Sequence, residues 1–350
     1  MRVLITGITG MAGSHLADYI LDKHPEAEIY GLCRWRSSLD NLAHLETAGL
    51  LDTRNLGQAS SVRGEEFAQI AAGKRVKLLR CEMLDPTAVS KVIKELAPDR
   101  IFHLAAQSFV PASWDAPGQT LETNIIGEVH LFEAIIAAGL SPRIHIAGSS
   151  EEYGLVYPEE APVKESNPFR PLSPYGVSKV AQELLAWQYF RSFGLQTVVT
   201  RAFNHEGPRR GEVFVTSSFA KQIVTIEKER PADPVLKVGD LSAERDWTDV
   251  RDVVRGYWLA LENGTPGEAY NIGSGTVRTV GEMLDTLLAM SPVSVRVSQD
   301  PRRFRPSDVR LLVADASKFR QATGWAPVIP FKQTMGDLLD YWRERLGVAR

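Results

Sequence analysis

Arg2-Val-Leu-Ile-Thr-Gly7-Ile-Thr-Gly10-Met-Ala-Gly13-Ser-His-Leu-Ala-Asp-Tyr-Ile-Leu21 passes from an apolar run, through three evenly spaced glycines, into a segment with apolar positions at helical spacing. It reads as strand, glycine turn and helix. Glycines let a backbone approach a pyrophosphate closely, and the helix start offers it free N–H groups and the positive end of a dipole. Gly7, Thr9, Gly10, Met11 and Gly13 are therefore the expected phosphate-facing positions. The spacing is G-x-x-G-x-x-G rather than G-x-G-x-x-G, so the flanking strand and helix carry the reading as much as the glycines do.

Working outward, Glu28-Ile-Tyr-Gly-Leu-Cys33, Val76-Lys-Leu-Leu-Arg-Cys81, Arg100-Ile-Phe-His-Leu-Ala-Ala106, Arg143-Ile-His-Ile-Ala-Gly-Ser149 and Gln196-Thr-Val-Val-Thr-Arg201 read as further strands, separated by helical patterns. Asp85-Pro86 caps and opens one of those helices, and Gln119 to Ala138 reads as one long amphipathic helix with Asn124 midway. Alternating strands and helices predict an α/β fold built on a doubly wound parallel Rossmann sheet. The second strand ends at Arg34-Trp-Arg36-Ser-Ser, where such a fold reads the adenosine ribose; arginines there suit a 2′-phosphate, so NADP is the expected cofactor. Residues 39–74 read as mostly helical and polar, without evident chemistry.

The densest chemistry lies between Ser149 and Lys179. A strand delivers Ser149, Ser150 and Glu151 at its carboxyl end, where parallel sheets bind ligands. Tyr175 and Lys179 are one helical turn apart, so both leave the same helix face. An adjacent ammonium is expected to lower the phenol's pKa and make it a usable acid or base. Ala105 and Ala106 are small enough for backbone to lie against a cofactor, and Ser108 follows them.

Beyond Pro208 the rhythm changes, which marks a second lobe. The expected division is a Rossmann domain over residues 1–200, completed by about 246–262, and a smaller mixed α/β substrate lobe over 201–245 and 263–350. Arg209, Arg210, Arg245, Arg302, Arg303 and Arg305 come from three separated stretches and could converge on a diphosphate.

Composition narrows the partners. The 350 residues carry 40 Lys and Arg against 43 Asp and Glu, a net charge of −3, with no basic excess to suggest nucleic acid. No stretch approaches the ~18 consecutive apolar residues of a membrane span. Cys33 and Cys81 are far apart and form no C-x-x-C pair, so neither a disulfide framework nor a metal site is expected, and a cytoplasmic protein is.

Gly7-x-x-Gly10-x-x-Gly13, His103-Leu-Ala-Ala and Ser149 with Tyr175-x-x-x-Lys179 resemble the extended short-chain dehydrogenase/reductase superfamily. Within it, Arg34-Trp-Arg-Ser-Ser, Leu104-Ala-Ala-Gln-Ser, Phe203-Asn-His-Glu-Gly-Pro-Arg-Arg-Gly-Glu212, Arg245-Asp-Trp and Phe304-Arg-Pro are similar to the GDP-mannose 4,6-dehydratases. Gly148-Ser-Ser-Glu-Glu-Tyr-Gly154, Phe214-Val-Thr and Thr248-Asp-Val-Arg-Asp252 are more like the GDP-4-keto-6-deoxymannose reductases.

The dehydratase resemblance implies Tyr175 as base at the sugar 4-OH, Lys179 as its electrostatic helper, Ser149 as the assisting hydroxyl and Glu151 as base at C5. It places Glu82, Met83, Leu104, Ala105 and Ala106 with Tyr175 and Lys179 against NADP. Ser108, Ser150, Asn204, Arg210, Arg245, Arg305 and Asp308 fall against a nucleotide-diphosphate sugar, with GDP-mannose the expected donor. It implies a homodimer or homotetramer. NADPH-dependent 4-keto reduction is the alternative activity, and a non-catalytic nucleotide-binding protein a remoter one. Ser217 and Ser218 stand where the dehydratases carry Arg-Lys, which removes an expected diphosphate cation, and Glu82 stands where an Asp faces the adenine.

Overall fold

A computed structural model describes residues 1–56, 65–304 and 309–348, with Glu65 and Glu66 described by backbone alone. Arg305 and Asp308 lie outside the described residues. Numbered along the chain, the strands are β1 Arg2–Thr6, β2 Glu28–Cys33, β3 Leu51–Asp52, β4 Val76–Arg80, β5 Arg100–His103, β6 Arg143–Ala147, β7 Gln196–Ala202, β8 Asn204–Glu206, β9 Val235–Val238, β10 Glu244–Asp249, β11 Ala269–Ile272, β12 Val277–Thr279, β13 Arg296–Gln299 and β14 Leu311–Leu312.

Eight of them form one sheet in the order β11-β7-β6-β5-β1-β2-β4-β3, with every neighbouring pair parallel. Val3, Leu4 and Ile5 have no exposed surface, as expected of a strand covered by helices on both faces. The chain winds outward from β1 through β2 to β4, then crosses back to β5 on the other side of β1. That reversal is a topological switch point, and the crevice beyond it is where such sheets bind ligands. Thr6 lies level with Leu32 on one side and His103 on the other, so the loops after all three strands leave from one edge.

The helix Pro86–Leu96 starts as the sequence implies: the Asp85 carboxylate accepts from Thr87 N (2.9 Å) and Ala88 N (3.1 Å), and proline takes the first position. The long helix expected from Gln119 to Ala138 is a continuous helical run, but its middle, Glu122–Ile126, is a π-turn centred on Asn124. The Asn124 side chain leaves the helix pattern to bond the Gln107 backbone, accepting from its N–H at 2.8 Å and donating to its carbonyl at 3.1 Å.

Two strands of the large sheet depart from the sequence reading. β3 lies within the 39–74 stretch and adds to the edge beside β4, where buried Asp52 accepts from Arg54 and Ala71 N. β11 lies in the stretch expected to belong to the second lobe, yet it pairs with β7 and completes the large sheet. Its Asn271 looks unlike a core residue, but the side chain is satisfied by Tyr153 Oη (2.7 Å) and Val163 O (2.9 Å).

The second lobe builds its own core. Helices Val215–Glu229, Val280–Leu288 and Phe331–Leu346 close over Phe219, Ile223, Trp247, Leu284, Leu338 and Trp342, beside the small sheet of β8, β10, β12 and β14. The helix Val250–Asn263 instead packs Val253, Tyr257 and Trp258 into the core of the large sheet. Among the described residues no helix is long and apolar enough to cross a membrane.

Candidate active site

The loop from β1 to the helix Met11–Lys23 passes directly under the end of β5. Gly7 has φ +72°, and a Cβ there would stand 2.9 Å from Ala105 N. A Cβ at Gly13 would meet Gly7 O at 2.4 Å. Leu104 N and Ala105 N both donate to Thr6 Oγ1 at 3.0 Å, which ties the two strand ends together. The result is a backbone cradle at a helix N-terminus, with Gly10 as cap and no acidic residue in the first turn. These features fit a dinucleotide pyrophosphate.

Thr9 and Met11 lie in the same turn. Arg34 and Arg36 follow β2 in an exposed loop, with the Arg36 guanidinium stacked over the Trp35 ring at 4.3 Å. Neither arginine forms an ion pair among the described residues, so both remain available to a 2′-phosphate. Glu82 is exposed after β4 and Met83 buried behind it, beneath Gly127 of the neighbouring helix.

Past β6, Ser149 caps a short turn, Ser150–Glu152. Its Oγ accepts from Glu151 N at 3.2 Å while Glu152 Oε1 accepts from Ser149 N at 2.7 Å, a reciprocal capping box that fixes the Ser149 hydroxyl. Opposite it runs the helix Pro174–Phe193, capped by Ser173 Oγ, which accepts from Gly176 N at 3.0 Å. This helix delivers Tyr175 and Lys179 on one face, as the sequence predicts. The Tyr175 phenol faces the Ser149 hydroxyl, and that hydroxyl, Glu151 and Arg210 are close enough to act on it electrostatically. Lys179 Nζ donates to Ala147 O and Gln182 Oε1, both at 2.8 Å, and stands 5.8 Å from the Tyr175 ring centroid.

One expectation is overturned. Tyr175 was expected to titrate below a free phenol because of Lys179, but burial raises it well above, and the lowering influences come from the Ser149 hydroxyl and Arg210. Lys179 itself is pushed below its ordinary value by burial, opposed by Glu128 and Glu152. Stripping water from each group outweighs the opposing influence of its neighbours.

Several residues to which the sequence reading gave no role hold this arrangement. Arg201 donates to Glu183 Oε2 at 2.8 Å and to Tyr153 Oη at 2.6 Å, and lies 3.6 Å from Glu152, forming a buried ionic floor below Ser149. Asn124 donates to Ser178 Oγ at 2.8 Å. Gln182 donates to fully buried Glu128 Oε2 at 2.7 Å. The available signal for Glu128 was its place on the helix line of Leu131 and Ile135, where an apolar residue belongs.

Among the substrate-facing candidates, Ser150 is buried, Ser108 is exposed, and Asn204 sits on β8 beside Trp247 of β10. Arg210 lies 3.4 Å from Glu206 with its guanidinium over the Phe214 ring at 3.6 Å. Arg245 donates to Glu244 O at 2.9 Å, at the edge of β10. At Ser218, the Oγ accepts from Arg303 Nη1 at 3.2 Å. Arg302, by contrast, points outward and pairs with Asp300. Cys33 and Cys81 are buried free thiols, and no group of metal-binding side chains occurs among the described residues.

A family profile described as GDP-mannose 4,6 dehydratase matches residues 4–338. The chain is 30% identical to the GDP-mannose 4,6-dehydratase of Vibrio cholerae, over 100% of this chain and 95% of that protein. It is 34% identical to the GDP-6-deoxy-D-mannose reductase of Pseudomonas aeruginosa, over 76% of this chain and 87% of that one. The solved structure of RMD from Pseudomonas aeruginosa complexed with NADPH superposes with a TM-score of 0.78 at 28% identity, covering 98% of this chain and 99% of the other.

Proposed function

Because the chain belongs to the GDP-mannose 4,6-dehydratase family, we propose that it is an NADP-dependent lyase that converts GDP-mannose to GDP-4-keto-6-deoxymannose. The observation that carries this reading is the meeting of Ser149, Glu151 and Tyr175 at the end of β6, with Lys179 behind the phenol. The chemistry NADP supplies when bound is acceptance of hydride from C4 and its return at C6. Tyr175 takes the proton of the 4-hydroxyl as C4 becomes a ketone; burial raises its phenol, so the phenolate this requires draws on the Ser149 hydroxyl and Arg210, the groups that lower it, with the Lys179 ammonium 5.8 Å from the ring. The Ser149 hydroxyl hydrogen-bonds the same oxygen. Glu151 removes the proton at C5, now acidified by the neighbouring ketone, and delivers a proton to the departing C6 hydroxyl, so water leaves. A proton equivalent to the one Tyr175 took from the 4-hydroxyl returns to C5, which resets Tyr175 and leaves no net redox change.

Gly7, Thr9, Gly10, Met11 and Gly13 hold the cofactor pyrophosphate in this reading, with Leu104, Ala105 and Ala106 along it. Arg34 and Arg36 select the 2′-phosphate. Arg210, Arg245 and Arg303 grip the sugar diphosphate, with Ser108, Ser150 and Asn204 nearer the sugar; Arg305 and Asp308 join them by resemblance alone. The exposed Val177, Leu184 and Trp187 share one face of the helix Pro174–Phe193, which suits self-association as a homodimer or homotetramer. Two buried free thiols fit a reducing compartment such as the cytoplasm.

A second reading, 4-keto reduction by NADPH, draws on the same Tyr175. Burial keeps its phenol protonated, which suits an acid that donates to a C4 alkoxide. Incubation of the purified protein with GDP-4-keto-6-deoxymannose and one equivalent of NADPH separates the two. The dehydratase reading expects NADPH to persist; its stoichiometric consumption would establish the reductase instead.

A further inference from the structure

Glu128 is wholly enclosed, and among the described residues its Oε1 has no hydrogen-bond partner while Oε2 accepts from Gln182 Nε2 at 2.7 Å. The other end of the same carboxamide, Gln182 Oε1, accepts from Lys179 Nζ at 2.8 Å. A carboxamide is polar in one sense only, with a donor at nitrogen and an acceptor at oxygen. Its orientation here presents the acceptor to an ammonium and the donor to a carboxylate, which is the arrangement an ion pair imposes on a bridging amide. Burying a carboxylate without a charged partner is costly, and so is burying an ammonium. Each group supplies what the other lacks.

Resting on the assignment of Tyr175 and Lys179 to the reaction, we propose that Glu128 is a positioning residue: through Gln182 it acts as the buried counter-ion that keeps Lys179 in its ammonium form beside Tyr175. Lys179 donates one N–H to Ala147 O and one to Gln182 Oε1, with the Tyr175 ring centroid 5.8 Å from its Nζ. The other titratable groups around it are Glu152 after β6, His103 on β5, His145 on β6 and Tyr175 on its own helix. Burial holds His103 and His145 neutral and pushes the Glu128 and Glu152 carboxyls well above the usual carboxylate range, opposed at Glu128 by Lys179 and Gln182 and at Glu152 by Arg201; these two carboxyls are the acidic groups acting on Lys179. On the Glu128 side, Tyr189 is the neighbouring titratable group, and the helix Pro86–Leu96 turns apolar Val89, Val92 and Ile93 inward.

The test reads Lys179 directly, without substrate. The full chain is labelled with ε-¹³C-lysine, the Lys179 resonance is identified by its loss in Lys179→Met, and its chemical shift is followed from pH 6 to 11. In Glu128→Gln, which keeps the shape and the hydrogen bond but removes the charge, the Lys179 midpoint is expected to fall by about one pH unit or more, and Glu128→Asp is expected to restore most of it. An unchanged or higher midpoint in Glu128→Gln would overturn the proposal. If that variant lacks a folded near-UV dichroism spectrum, Gln182→Met, which keeps the carboxylate and breaks the bridge, is titrated in its place. A lower midpoint supports the bridge and an unchanged one overturns it. Failure of the wild type to turn over GDP-mannose would count against the proposed reaction and would not alter this titration.

Discussion

Replacing Gly7 with Ala probes the cradle in the one place where backbone conformation and contact both forbid a side chain. An L residue in the left-handed region costs about 1–2 kcal/mol, and Gly7 has φ +72°. The added methyl would also sit 2.9 Å from Ala105 N, 3.0 Å from Ala105 Cα and 3.1 Å from the Leu104 carbonyl carbon. All three are backbone atoms, so the end of β5 must move, at a cost of about 1–3 kcal/mol for overpacking. That movement would strain the bond from Ala105 N to Thr6 Oγ1. Gly49 provides the control: it has φ +70°, and a Cβ there would meet nothing within 4 Å. At roughly 2 °C per kcal/mol for a chain of this size, Gly7→Ala is expected to melt about 4–10 °C below wild type, and Gly49→Ala about 2–4 °C below. The assay is thermal unfolding by far-UV dichroism, repeated with saturating NADPH, from which Gly7→Ala should gain much less than wild type or Gly49→Ala. Equal losses in the two variants, or equal gains from NADPH, would refute the close approach of this turn to β5 and to the cofactor.

Removing the ionisable oxygen with Tyr175→Phe should leave the dichroism spectrum unchanged and reduce kcat by roughly 10²–10⁴, the usual effect of a lost acid–base group; near-normal turnover would show that the phenol takes no part. Two charge-assisted hydrogen bonds at ~1.5–3 kcal/mol each give an expected NADP preference over NAD of on the order of 10²-fold or more, and Arg34→Ala with Arg36→Ala should largely erase it in a fluorescence titration. His15, buried against Pro208 and Arg209, is pushed down from 6.5 to about 4. Between those values the unfolded chain binds a proton that the folded one refuses, so stability is fully present above pH 6.5 and declines as pH falls toward 4, by roughly 1.4 kcal/mol per pH unit. His15→Asn should flatten the melting-temperature profile over that window, and a profile as steep as wild type would assign the acid sensitivity to other groups.

What could be read from the sequence is what local chemistry decides. The strand, glycines and helix of residues 2–21 form one continuous pattern, Asp85-Pro86 is a cap by residue type, and Tyr175 and Lys179 need only one shared helix to meet. What could not be read depends on distant partners. Arg201 looks like the polar end of a strand until Glu183 and Tyr153 surround it. Arg303 reaches Ser218 across 85 positions, so no reading of the serine's neighbours in sequence could have found it there. β11 joins the large sheet because Asn271 finds Tyr153 and Val163, contacts made more than a hundred residues away. The direction of the Tyr175 shift was misread for the same reason: spacing reveals the ammonium, whereas the depth of burial that outweighs it belongs to the folded molecule.

The central claim is a dehydration that uses Glu151 and recycles its hydride. Purified protein is incubated with GDP-[4-²H]mannose and a catalytic amount of NADP, and the product is weighed by mass spectrometry for wild type and for Glu151→Gln. The account predicts a wild-type product lighter by one water with the deuterium moved to C6, no accumulation of reduced cofactor, and loss of that product in Glu151→Gln. Absence of a dehydrated product from the wild type, or undiminished dehydration by Glu151→Gln, would contradict it.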